Sequence, residues 1–213
     1  MIGALQEVTA DARPRNVVDV GSATGEFTGL LAGVLTDGSV IGYDLSPTAV
    51  ERAQSRFGGA HFRAGSFLDA AHDHPGRVDL VTCLEVLYYV AADERAAAID
   101  AVRAMLRPGG LVLASSMIGG SPYMDGVGLA RLFEDGFHIE RSGVLSLWPL
   151  TAFEKIRMKL GGGRAIGRQA REYLPGGAGY QRLDRYTRLL RRILGGRTDS
   201  HAYVIARRNG SPS

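Results

Sequence analysis

The sequence predicts an α/β fold, a mostly parallel sheet with helices on both faces, and three observations carry that expectation. The first lies between Asn16 and Leu35, where a β-branched run (Val17, Val18, Val20), a tight turn bracketed by Gly21 and Gly25, and a helical repeat (Phe27, Leu30, Leu31, Val34, Leu35) follow one another. Such a run suits a strand buried on both faces, and the repeat suits a helix packed on it. The second is that apolar, strand-like runs recur at Ser39–Asp44, His61–Ala64, Val78–Cys83 and Leu111–Ser115, with helical patterns among the connections. The third is size: 213 residues, 45% of them apolar and 22% charged, fit a single globular domain with a sizeable core.

One cysteine, Cys83, excludes an internal disulfide and is compatible with a reducing compartment. With neither a membrane-length apolar run nor a basic-then-apolar start, the sequence reads as cytoplasmic. Charge is unevenly spread. Residues 1–149 hold 11 Lys and Arg against 18 Asp and Glu, whereas 150–198 hold 12 against 3, so the net of +3 conceals one strongly basic stretch.

The Gly21–Gly25 turn does not match a phosphate loop. It lacks both the Gly-x-Gly-x-x-Gly spacing and a following Lys-Ser/Thr, and the carboxylate of Asp19 would repel an anion there. That carboxylate favours a ligand with a cationic or hydroxyl-rich part. The run Asp19-Val20-Gly21-Ser22-Ala23-Thr24-Gly25-Glu26-Phe27 resembles the first motif of the class I S-adenosylmethionine-dependent methyltransferases. The resemblance implies a seven-stranded Rossmann-like sheet with an antiparallel last strand, and S-adenosylmethionine as cofactor. It places Asp19, Gly21, Ser22, Ala23 and Gly25 around the methionine part.

Before this motif, Ile2–Ala12 makes a short helix closed by Pro14. After it, Thr36-Asp37-Gly38 turns the chain into the second strand, which ends in Asp44. A carboxylate roughly 20 residues past a glycine turn, at a strand's carboxyl end, can accept both hydroxyls of a ribose. Leu45 would then pack on the adenine. Ser46-Pro47 caps a helix through Phe57, and Gly58-Gly59 ends it. After the third strand the family usually has an acidic residue following the glycine for the adenine amino group. Here Gly65 is followed by Ser66, a weaker acceptor, with Phe67 as an apolar wall or a core residue.

The fourth strand leads into Leu84-Glu85-Val86-Leu87-Tyr88-Tyr89-Val90. Ligands bind outside the carboxyl ends of such strands, which makes Cys83, Glu85, Tyr88 and Tyr89 site candidates. The Glu-Val-Leu-Tyr-Tyr run, a helix over Asp93–Leu106 and the Arg107-Pro108-Gly109-Gly110 turn resemble the nodulation N-methyltransferase group in particular. Related enzymes often have Glu-His at positions 88 and 89, so this chain lacks an obvious base and potential metal ligands there. No metal is expected. Tyr123, after strand five, is placed to reach the acceptor. A helix over Val127–Glu134, a strand over Phe137–Leu147 and a last strand over Ala202–Arg207 complete the pattern.

Residues 148–199 form an insertion between strands six and seven. Two amphipathic helices are expected in it, one opened by the capping box Thr151-Ala152-Phe153-Glu154 and one over Tyr180–Leu194. It reads as a lid whose Arg188, Arg191 and Arg192 favour an acidic or phosphate-bearing acceptor. Solvation of an outer face explains the arginines equally well, and a membrane surface or nucleic acid fits the sparse aromatic content less well.

The sequence thus predicts methylation of a small molecule. An amine is favoured over a hydroxyl because a neutral amine needs no strong base, with Glu85, Tyr88 and Tyr89 orienting the acceptor. A non-catalytic or regulatory S-adenosylmethionine-binding module is the alternative. A nicotinamide-dependent oxidoreductase shares Asp44 but not the glycine pattern.

Overall fold

A computed structural model of the chain describes residues 13–35, 37–145 and 200–210. Seven strands are found there: β1 (Asn16–Val20), β2 (Ser39–Asp44), β3 (His61–Ala64), β4 (Val78–Leu84), β5 (Leu106–Met117), β6 (Phe137–Leu145) and β7 (His201–Arg208). They form one sheet in the order β3-β2-β1-β4-β5-β7-β6. The pairs β1–β2, β2–β3, β1–β4 and β4–β5 are parallel, and β7 is antiparallel. This is the Rossmann-like methyltransferase sheet that the resemblance implied. The strand order reverses between β1 and β4, and a crevice opens at such a switch point beyond the carboxyl ends.

Alternation along β1 builds both faces of the core. Val17 joins Leu31, Leu80 and Leu113 on one side, while Val18 and Val20 join Val81, Val102 and Met105 on the other. Asp19 shares the face of Val17. There it meets Thr28 of α1 (Glu26–Val34), and that contact sets the helix's rotation. The buried residues of α1 are Thr28 and Leu31, so Leu30 and Val34, both assigned to the apolar stripe, are exposed instead. A buried carboxylate needs hydrogen-bond donors, and this requirement outranks the apolar count.

Helix α2 (Pro47–Arg56) begins as its Ser46-Pro47 start predicts, with Ser46 Oγ accepting from the amide of Ala49 at 3.3 Å. Helix α3 (Phe67–Asp73) is absent from the sequence reading. Ser66 and Asp69 form a reciprocal capping box, so the chain after β3 turns directly into a helix. Helix α4 (Arg95–Met105) starts two residues later than expected, and the Arg107–Gly110 turn lies within β5 as a bulge, where the pairing shifts between Val78 and Leu80. Helix α5 (Gly126–Arg131), capped by Asp125, ends three residues before Glu134.

The helix expected over Ile2–Ala12 and the insertion 148–199, with Arg188, Arg191 and Arg192, lie outside the described residues. The chain divides into two compact units, 1–143 with 202–213 and 144–201, and the site residues described below all belong to the first.

Candidate functional site

The glycine turn is closed onto the end of β2 by three successive amides. Those of Gly21 and Ser22 donate to the carbonyl of Tyr43 at 2.8 and 2.9 Å, and that of Ala23 donates to Asp44 Oδ2 at 2.8 Å. Gly21 and Gly25 take φ of 81° and 83°, the left-handed region open to glycine, and Ala23 joins them at 47°. A Cβ on Gly25 would stand 2.8 Å from both Ala53 Cβ and Phe62 Cζ. Gly25 also opens α1 without a side-chain cap, at the kind of helix start whose amides lack intrahelical partners. Ser22 is buried, and its hydroxyl has no hydrogen-bond partner among the described residues.

Asp19 supports this turn from below. Its oxygens accept from Thr28 Oγ1 at 2.6 Å and from Thr82 Oγ1 at 2.7 Å, so one carboxylate joins β1 to the first turn of α1 and to β4. Burial raises its pKa, the two threonine hydroxyls oppose that shift, and the charge of Asp44 adds to it. Thr28 and Thr82 carry no motif signal. Only the need of a buried carboxylate for donors points to them.

On the β2 side, Asp44 accepts from Ala23 at Oδ2 and from the amide of Ser46 at Oδ1, 2.9 Å. Each oxygen keeps a second lone pair for a ligand hydroxyl. Leu45 beside it is 77% exposed. The amide of Gly65 donates to the carbonyl of Asp44 at 3.0 Å and holds the third crossover against the same point. Ser66 spends its hydroxyl on Asp69, donating to Oδ2 at 2.7 Å and accepting from the Asp69 amide. Phe67 faces the core.

Beyond β4 lies the other half of the crevice. Glu85 has φ 56°, a left-handed value that non-glycine residues rarely take, and strain of this kind concentrates at functional sites. Its amide donates to the carbonyl of Ser115, and Ser115 Oγ donates to its Oε1 at 2.6 Å. Tyr88 and Tyr89 form a 3₁₀ turn with Leu87, and Tyr123 comes from the loop after β5. The ring of Tyr88 lies 4.6 Å from that of Tyr89 and 5.0 Å, edge to face, from that of Tyr123. Burial first, then its hydrogen bond with Tyr89 and the charge of Glu85, push the Tyr88 phenol well above its ordinary range. Arg95 ties the two loops together, bonding the carbonyl of Val90 at 3.1 Å and that of Pro122 at 3.0 Å. Cys83 does not reach this group: it is wholly buried, with Sγ toward the Leu113 carbonyl and burial raising its pKa.

Most of the predicted residues therefore gather in two sets at one sheet edge. Gly21–Gly25, Asp44 and Leu45 make the first set; Glu85, Tyr88, Tyr89 and Tyr123 make the second. Val86, which carried no signal of its own, joins them by packing on Gly21. The first set fits S-adenosylmethionine: a backbone cradle that a Cβ would fill, a carboxylate with spare lone pairs, and an open apolar wall.

The strand order and the site edge have the Rossmann-like methyltransferase architecture. Residues 18–112 match the family model described as a methyltransferase domain. Over 107 residues the chain is 33% identical to the ubiquinone biosynthesis O-methyltransferase of Thiobacillus denitrificans, a stretch covering 48% of this chain and 44% of that protein. The chain thus matches less than half the length of that relative. Among solved structures, the N-methyltransferase NodS of Bradyrhizobium japonicum, in complex with S-adenosylhomocysteine, superposes with a TM-score of 0.64 at 16% identity over 97% of this chain and 84% of that one. The [4+2]-cyclase SpnF superposes with a TM-score of 0.60 at 19% identity, over 98% and 82% of the two chains. The fold is shared across different chemistries. Among the described residues no helix is long and apolar enough to cross a membrane.

Proposed function

We propose that this protein is an S-adenosylmethionine-dependent methyltransferase acting on a small-molecule acceptor, and that the acceptor atom is an amine nitrogen. The observation that carries the reading is the bond from the Ala23 amide to Asp44 Oδ2, which closes the glycine turn on a carboxylate at the crevice. Gly21, Ser22, Ala23 and Gly25 would hold the methionine part, Asp44 the ribose and Leu45 the adenine. Asp19, with Thr28 and Thr82, would fix the turn. Ser66 and Phe67 would frame the adenine through the backbone at the start of α3.

Bound S-adenosylmethionine supplies a methyl already activated by its sulfonium. This chain's task is then to align an acceptor lone pair and keep water away. Glu85, Tyr88 and Tyr89 would orient the acceptor, with Tyr123 beside them. Tyrosines stand at 88 and 89 rather than a histidine base, which favours an amine able to bind neutral. The basic stretch, with Arg188, Arg191 and Arg192, favours an acidic or phosphate-bearing acceptor.

O-methylation is the second reading, favoured by the O-methyltransferase named among the curated relatives. Loss of activity on replacing a histidine would support it. The primary test is calorimetric titration with S-adenosylmethionine, S-adenosylhomocysteine and NAD. Micromolar binding of the first two, lost in Asp44→Ala, is expected. Folded, ligand-free protein that binds neither would overturn the methyltransferase reading.

A further inference from the structure

Three tyrosines drawn from two loops gather beside a carboxylate at the edge where the acceptor must lie. Tyr88 is the half-buried centre, packed against both Tyr89 and Tyr123. Its neighbours stay open: Tyr89 is 79% exposed and Tyr123 38%. Contiguous exposed aromatic rings, unlike hydrophobic residues scattered singly, mark a binding surface. Arg95 fixes the spacing of the two loops through the carbonyls of Val90 and Pro122, so the rings form a built surface. Glu85 adds its carboxylate within electrostatic reach of the Tyr88 hydroxyl, and Ser115 holds that carboxylate in place.

Aromatic faces and a carboxylate share one preference in ligand charge. The face of a tyrosine ring carries negative potential and attracts organic cations, and a carboxylate does the same. From this juxtaposition we infer that Tyr88, Tyr89 and Tyr123 with Glu85 form an organic-cation subsite, which receives an aliphatic amine acceptor and holds its methylated ammonium. The inference rests on the amine reading above and names the substrate class within it. An amine nitrogen becomes positive as it gains a methyl, so the rings would interact more strongly with the product-like state than with the neutral amine. A neutral alcohol or phenol gains less from the same surface. Any acidic part of the acceptor would bind away from the tyrosines.

The test uses the full chain with and without S-adenosylhomocysteine, and two probes of equal shape: choline and its uncharged isostere 3,3-dimethylbutan-1-ol. Tyrosine fluorescence and calorimetry report binding. Choline is expected to bind about tenfold more tightly than the isostere. The preference should vanish in Tyr89→Ala/Tyr123→Ala, survive in Tyr89→Phe/Tyr123→Phe, and leave S-adenosylhomocysteine affinity and the circular dichroism spectrum unchanged. Equal binding of the two probes, or a preference that survives the alanine pair, overturns the subsite while the cofactor reading stands. Failure of S-adenosylhomocysteine to bind the parent protein overturns the cofactor reading instead, and the choline arm without cofactor still decides the subsite.

Discussion

Val86 occupies the space that a side chain on Gly21 would need: a Cβ built on Gly21 would lie 2.6 Å from Val86 Cγ2 and 2.7 Å from Val86 Cβ. The cofactor turn and the loop after β4 are thus keyed to each other through a glycine and a β-branched residue.

Gly21→Ala should therefore fail for two separable reasons. Left-handed backbone costs a non-glycine residue about 1–2 kcal/mol, and Val86 would have to move besides. Urea unfolding is expected to show a loss of at least about 2 kcal/mol, together with weakened S-adenosylhomocysteine binding. Adding Val86→Ala should return the steric part and leave the backbone part. A double variant whose stability is the simple sum of the two singles would mean the contact is not the constraint.

Asp19 sets a pH dependence whose sign follows from burial. Its native pKa lies above the ordinary carboxylate value, with burial the main cause. The native state therefore holds a proton that the unfolded chain releases, and stability falls as pH rises from 3.8 through the native pKa. Above that window the cost of the buried charge is fully present. Asp19→Asn keeps an oxygen for one threonine hydroxyl and offers an N–H to the other. Its melting temperature should equal or exceed that of the parent at pH 7, and the difference should shrink as pH is lowered through the window. S-adenosylmethionine affinity should fall, since the turn is then held by weaker bonds. A parent protein that gains stability with rising pH relative to Asp19→Asn would contradict the burial argument.

Much of this was legible in the residues. The strand, turn and helix order of Asn16–Leu35, the carboxylate closing β2 and the loop beyond β4 follow from periodicity and glycine placement. Misses came where a polar side chain chose a local partner. Thr28 took the inward face of α1 from Leu30 and Val34 because Asp19 lies beneath it. Ser66 and Asp69 form a helix cap where no helix was expected, although Ser-x-x-acid is itself a start signal. Cys83 follows the alternation of β4 into the core rather than reaching the edge beyond its strand. Which loops meet at Tyr88 and Tyr123 depends on Arg95, and no local pattern encodes a contact between such distant segments.

Ser66 permits a clean separation of roles. Its hydroxyl is committed to the α3 cap, and losing such a cap costs about 1 kcal/mol. Ser66→Ala should lower the melting temperature by a few degrees and leave S-adenosylhomocysteine affinity within about twofold, a change of under 0.5 kcal/mol. A large loss of affinity at unchanged stability would instead assign the hydroxyl to the adenine.

Ser115 tests whether Glu85 works on the acceptor. The serine is 1% exposed, and its Oγ donates to Glu85 Oε1 at 2.6 Å across the gap between β5 and the left-handed turn after β4. Ser115→Ala removes that donor without adding bulk. Hydrogen bonds to charged groups contribute about 1.5–3 kcal/mol. A carboxylate released from such a bond can turn away from the pose that orients an acceptor. With methyl incorporation from labelled S-adenosylmethionine as the readout, kcat should fall about tenfold or more, equivalent to 1.4 kcal/mol, while S-adenosylhomocysteine affinity holds. Cofactor and acceptor steps would then be separable at one side chain. A parallel fall in both would place Ser115 in the framework of the sheet, and Glu85 would lose its claim to the acceptor.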